Sequence, residues 1–226
     1  MGLSGTGGAP PAGRPFQIAL DWWRFFLNQN PQWDWTTLTA ASYEHYFDQS
    51  VEEFGAVLGT DNPDLSAFRD RGGKIVIWHG WSDNLIYPEG TIDYYQRVER
   101  QMGGEASTAK FARLFLAPGV GHCGGGAGPA PAGQFEAVVQ WVEEGKAPEV
   151  LNAIRRDQGG STVRSRPLCP FPLAAKYKGT GSTDDAANFA CAARSSSTAP
   201  ITSTKFRSPA SPTLPNSAIA SCEATP

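Results

Sequence analysis

The 226-residue chain sets 19 Lys and Arg against 22 Asp and Glu, a formal net charge of -3 at pH 7. That balance supplies no basic stripe for neutralising phosphates, which argues against a nucleic-acid partner. The longest apolar runs, KIVIWHGW and FARLFLAPGV, fall far short of the roughly 20 residues that a membrane-spanning helix requires, and the length suits one domain with a sizeable core or a domain with part of another.

The opening MGLSGTGGAPPAGRPF has neither the basic start nor the apolar stretch of a secretory leader, which at face value points to the cytoplasm. FQIALDWWRFFLNQN, residues 16–30, mixes helical spacing with a broad aromatic face and predicts a helix ending before Pro31. A loop and one or two helical turns are expected to follow. His45, alone among aromatics and acids in SYEHYF, reads as a packing or surface residue. DNPDLSAFRDRGGK predicts a helix capped by Asn62 or Asp61, with Pro63 in its first turn and Gly72-Gly73 as its stop. Asp61, Asn62 and Asp64 lack the spacing of an EF-hand calcium loop, so capping is the better reading.

KIVIWHG, rich in β-branched and aromatic residues without polar alternation, predicts a strand covered on both faces. PEGTIDYYQRVERQMGG predicts a helix, FARLFLAPG a second strand, and AGQFEAVVQWVEEGKAPE a further helix with Phe135, Val138, Val139 and Val142 on one face. Strand, helix, strand, helix in that order predicts an α/β fold with a parallel sheet and covering helices. From Lys146 the periodic pattern dissolves. Cys169 and Cys191 bracket a Gly-, Ser- and Pro-rich loop with little core of its own. A disulfide there would contribute roughly 3 kcal/mol in the chain-entropy model and implies an oxidising compartment, against the face-value reading of the first residues. No Cys and His spacing assembles a zinc site. Residues 192–226, dominated by Ser, Thr, Ala and Pro, are expected to be disordered.

Parallel strands joined by a helix open their carboxyl ends onto the same edge of the sheet, where open α/β sheets place their sites. Just past the first strand stands Asp83 in HGWSDNLIYP; just past the second stands His122 in PGVGHCGGG. Either alone is explained by a turn-forming Asp or a loop His. Together, at successive strand ends, they predict the base half of a catalytic triad, in which the aspartate fixes the tautomer of the imidazole and the free ring nitrogen takes a proton. His79 also closes a strand, but only four residues before Asp83, and reads as a structural strand-end residue. The serine elbow G-x-S-x-G of α/β-hydrolases is absent: GLSGTGG lacks its spacing, and Ser82 follows the wrong strand. Cys123 as nucleophile is disfavoured, because its side chain and that of adjacent His122 point apart in most backbone geometries.

GGKIVIWHGWSDNLIYPEGTIDYYQRV, FARLFLAPGVGHCGGGAGP and RPLCPFPLAAKYKGTGSTDDAANFAC resemble the C-terminal part of the tannase and feruloyl esterase family, serine esterases of the α/β-hydrolase fold with a large inserted lid. The resemblance implies part of an α/β-hydrolase core over residues 63–191, with a disulfide-clipped C-terminal extension, and the end of the lid over residues 1–62. There Trp22, Trp23, Trp33 and Trp35 are placed to pack or to meet a phenolic ring. It implies Asp83 and His122 as triad members and cleavage of phenolic-acid esters such as gallates and ferulates; related members act on aromatic polyester fragments. It implies a disulfide from Cys123 to the cysteine preceding the nucleophilic serine, which would lie outside this chain in the missing N-terminal half, and a second disulfide joining Cys169 and Cys191; Cys222 is then either a free thiol or a substitute partner for Cys123. A secreted or periplasmic location follows. So does a calcium site in a lid portion that has no counterpart here, so that no cofactor or metal is expected in this chain. The alternative function is a non-catalytic module whose aromatic surface holds phenolics or a partner chain.

Overall fold

A computed structural model describes residues 15–193; the expected disordered tail lies almost wholly outside the described residues. Two compact units divide between Gly59 and Thr60.

In the first unit, α1 (Gln17–Asp21) runs directly into a wider, π-helical turn, Trp22–Leu27. The predicted helix is present but stops before residue 30, where large rings crowd the chain: Trp22 stacks on Phe26 at 4.5 Å and Trp23 on Trp33 at 5.3 Å. The Asn28 side chain donates to the Trp23 carbonyl at 2.9 Å and closes the end. Beyond a short turn at Trp35–Thr37, α2 (Ala40–Leu58) spans 19 residues, much longer than the expected one or two turns. A reciprocal cap starts it: Thr39 Oγ1 accepts from the Ser42 amide and Ser42 Oγ accepts from the Thr39 amide. None of its residues is fully buried. It is held by aromatic and polar contacts, Trp23 against Tyr46 at 4.8 Å and Trp22 Nε1 donating to Ser50 Oγ at 3.1 Å, which apolar periodicity does not register. His45 is exposed beside the Tyr46 ring.

The second unit begins with a helix shorter than predicted, α3 (Ser66–Asp70). Neither Asn62 nor Asp61 caps it as the sequence implied; its N-cap position is Leu65, and the Asn62 and Asp64 side chains accept the amides of Asp64 and Ser66 and fold residues 62–66 into consecutive turns. Then come β1 (Ile75–Gly80), α4 (Pro88–Gln101), α5 (Glu105–Thr108) and β2 (Ala112–Ala117). β1 and β2 pair in parallel, Ile75 beside Ala112 through Gly80 beside Ala117. Alternation sends Ile75, Ile77, Ala112 and Leu114 to one face, against Tyr94, Tyr95 and Val98 of α4. Val76, Trp78, Phe115 and Ala117 go to the other, against Leu151, Ala153 and Leu168. Burial on both faces explains the unbroken apolar runs.

The second layer is β3 (Ala130–Ala132), α6 (Gln134–Glu144), β4 (Leu151–Arg156) and β5 (Thr162–Leu168), with an antiparallel sheet in the order β3-β4-β5. α6 covers the face predicted for it only in part, with Val138 and Val139 half-buried. Phe135 and Val142 are 76% and 57% exposed, whereas Trp141 is 3% exposed and lies under Lys74 and Arg113, 5.7 and 6.0 Å from its ring centre. One indole buries more area than either apolar side chain left in solvent. β6 (Ala174–Tyr177) and β7 (Phe189–Ala192) form a final antiparallel pair, and Cys169 is disulfide-bonded to Cys191 with Cα atoms 5.5 Å apart. Between Lys146 and Ala193 the chain thus carries four strands. Arg155, Arg156, Arg164 and Arg166 hide the pattern, since β4 and β5 bury only a few of their side chains.

Candidate active site

The β1 and β2 ends are stitched together by backbone. Beyond Gly80 the Trp81 amide donates to the Ala117 carbonyl and the Ser82 amide to the Val120 carbonyl, each at 2.9 Å. Gly80 permits this approach: a Cβ there would collide with the Val120 and Gly121 carbonyls. The two loops leave the sheet side by side, which brings Asp83 and His122 together across 39 residues of sequence. His122 Nδ1 lies 2.9 Å from Asp83 Oδ2.

Asp83 is 8% exposed. Burial pushes its carboxyl upward, but the Ile86 and Leu85 amides and then His122 outweigh burial, and it lies below the ordinary carboxylate range. Oδ1 accepts from the Leu85 amide at 2.8 Å and the Ile86 amide at 3.1 Å. An ionised carboxylate only accepts, so the proton between Oδ2 and His122 sits on Nδ1. In the neutral ring Nε2 is then bare, and the His122 side chain is 31% exposed, open to a proton donor. This arrangement accepts a proton at Nε2 and stabilises the resulting imidazolium through Asp83.

Sequence reasoning assigned His79 only to the strand end. The structure puts it in the same cluster: Nε2 lies 3.2 Å from Asp83 Oδ2 and 2.9 Å from the Ile86 carbonyl, and Nδ1 lies 2.8 Å from Thr91 Oγ1. Its spacing of four residues before Asp83 was the available signal. A tight turn after a strand returns the chain to the strand's last side chain.

His122 is carried by a loop almost without side chains. Val120 bridges to Gly126, and the Gly128 amide donates to the Gly119 carbonyl at 2.9 Å. A Cβ on Gly126, where φ is +87°, would strike the Gly119 carbonyl. Cys123 is itself left-handed at φ 56°, an uncommon conformation for a residue with a side chain. It is disulfide-bonded and not a free thiol. Its partner falls outside the described residues.

The family model described as tannase and feruloyl esterase matches residues 16–192. The chain belongs to the tannase and feruloyl esterase family. It is 45% identical over 181 residues to a probable feruloyl esterase of Arthroderma benhamiae, covering 79% of this chain and 34% of the relative. It is 41% identical over 187 residues to a mono(2-hydroxyethyl) terephthalate hydrolase of Piscinibacter sakaiensis, covering 81% and 29%. Feruloyl esterase B from Aspergillus oryzae superposes with a TM-score of 0.68 at 31% identity, covering 79% of this chain and 38% of that one. The chain therefore spans about a third of the length of the curated relatives it matches. It shares with the tannase and feruloyl esterase structures the α/β-hydrolase fold that the motifs implied.

Beside the two loops of this family member lies an apolar cavity of about 300 Å³, lined by Trp81, Leu116, Pro118, Leu168, Phe171 and Leu173 among others. Trp81 stands two residues before Asp83, and Pro118 four before His122. The acidic residues that invited a calcium reading do not fit one. Asp61 Oδ2 is paired with Arg97 at 2.8 Å, and the Asn62 and Asp64 oxygens are turned to backbone amides. No group of three or more His, Cys, Asp and Glu suited to a metal occurs among the described residues.

Proposed function

We propose that this chain supplies the general base and its orienting carboxylate to a secreted or periplasmic serine-type ester hydrolase acting on phenolic-acid esters. The observation that carries the reading is the 2.9 Å contact of His122 Nδ1 with an Asp83 carboxylate held as an acceptor. In the proposed cycle His122 Nε2 takes the proton of a serine hydroxyl as that oxygen attacks the ester carbonyl. The imidazolium, stabilised by Asp83, then protonates the departing alkoxide and leaves an acyl-serine. Water deprotonated by the same nitrogen attacks the acyl group, and the proton returns to the serine oxygen. The apolar cavity beside the loops supports an aromatic substrate.

The serine and the oxyanion-hole donors belong, in this reading, to an N-terminal half outside these 226 residues, which are inactive alone. Residues 1–62 are the end of its lid and residues 63–191 part of its core. Any calcium ion belongs to the remainder of the lid. The Cys169–Cys191 disulfide supports an oxidising compartment.

The test is hydrolysis of methyl ferulate and methyl gallate by the chain alone and by the chain joined to an upstream segment bearing a G-C-S-x-G elbow. The reading expects turnover only in the joined protein, lost there on His122→Ala. Hydrolysis by the chain alone that survives His122→Ala would contradict it. Micromolar quenching of tryptophan fluorescence by phenolics, with an inert joined protein, would favour a binding module.

A further inference from the structure

We infer that His79, held by Thr91, is a positioning residue that fixes the Asp83 carboxylate for His122; the inference rests on the functional reading above. Hydrogen-bond chemistry assigns its proton. The Ile86 carbonyl, 2.9 Å from His79 Nε2, only accepts, so Nε2 carries the hydrogen and shares it with Asp83 Oδ2 at 3.2 Å. Nδ1 of the neutral ring is then bare, and the Thr91 hydroxyl, 2.8 Å away on a residue 7% exposed, donates to it. The direction of donation therefore runs from Thr91 to His79 to Asp83, where it meets the donation from His122.

A residue that only ended a strand would need two partners, one at each ring nitrogen. His79 has three, and its shared proton ties the carboxylate to the loop carbonyl that follows it. The two backbone amides grip Oδ1 alone. Without His79, Oδ2 keeps only His122 among the described residues. His79 has 13% of its side chain exposed against 31% for His122, as suits an internal brace more than a group meeting substrate.

The test is nitrogen-15 NMR on the full chain labelled at histidine, near neutral pH, with no hydrolysis required. Its failure would therefore leave the esterase reading standing. Wild type is expected to show His79 as the Nε2–H tautomer. His79→Leu removes the donor and should speed exchange of the His122 Nδ1 proton about tenfold, the scale of one hydrogen bond to a charged group. His79→Gln, whose amide N–H reaches the place of Nε2, should restore it to within about twofold. Thr91→Val should loosen the same proton with the ring still present, and it decides the matter if His79→Leu does not fold. An Nδ1–H tautomer at His79, equal exchange in the Leu and Gln variants, or a Thr91→Val chain with unchanged His122 exchange would overturn the proposal.

Discussion

The loops after β1 and β2 each deliver one functional side chain to the same spot and are held by opposite means. Between Gly80 and Pro88 the chain is organised by side chains: Asp83 accepts from two amides and two imidazoles, and His79 binds the Ile86 carbonyl. Between Pro118 and Gly128 it is organised by their absence, with glycines at 119, 121, 126 and 128 letting backbone meet backbone. The first loop should therefore fail chemically when a polar atom is changed. The second should fail sterically when a methyl group is added.

The largest expected effect belongs to Asp83→Asn. If the amide oxygen keeps the Leu85 and Ile86 amides, its NH₂ faces the N–H groups of His122 and His79, and His122 turns to the tautomer with Nε2 occupied. Turnover of the joined enzyme should fall about 10⁴-fold, as for the corresponding change in the catalytic triad of a serine protease. Stability should change only by about 1–3 kcal/mol. Steady-state kinetics and thermal unfolding measured on one variant separate the two effects.

Next come the glycines. Gly126→Ala combines a left-handed conformation with a collision against the Gly119 carbonyl and should destabilise the chain by about 3 kcal/mol. Gly125→Ala, at φ +69° with nothing within 4 Å of the added carbon, should cost only about 1 kcal/mol. Equal losses in denaturant unfolding would mean that conformational preference, and not close approach, shapes the loop.

The smallest effect is that of acid. Because the Asp83 carboxyl lies below its ordinary range, its contribution is fully present above the unfolded-state pKa, near 4. It fades as pH falls through the lower folded value. The melting-temperature difference between wild type and Asp83→Asn should narrow as pH falls below the usual carboxylate range. The Gly126→Ala difference should lack this component.

These contrasts also mark how far the sequence could be read. Asp83 and His122 were legible because β1 and β2 are apolar on both faces, and parallel strands must open on one edge. The Cys169–Cys191 pair was legible because so little core surrounds it. His79 was read only as a strand end because two of its three partners, a backbone carbonyl and a threonine on α4, leave no pattern in sequence, and only its spacing to Asp83 does. The length of α2 was hidden because its neighbours are aromatic rings and not an aliphatic core. β4 and β5 were hidden because arginines occupy so many of their positions. In α6, Phe135 and Val142 drew attention away from Trp141, which alone among the three is buried.

The most direct test of the paired strand ends is the protonation pattern of the His122 ring, read by nitrogen-15 NMR in wild type and in Asp83→Asn. The account predicts Nδ1–H with Nε2 bare in wild type, and a shift to Nε2–H in the variant. An Nε2–H ring in wild type, or a ring indifferent to Asp83, would contradict it.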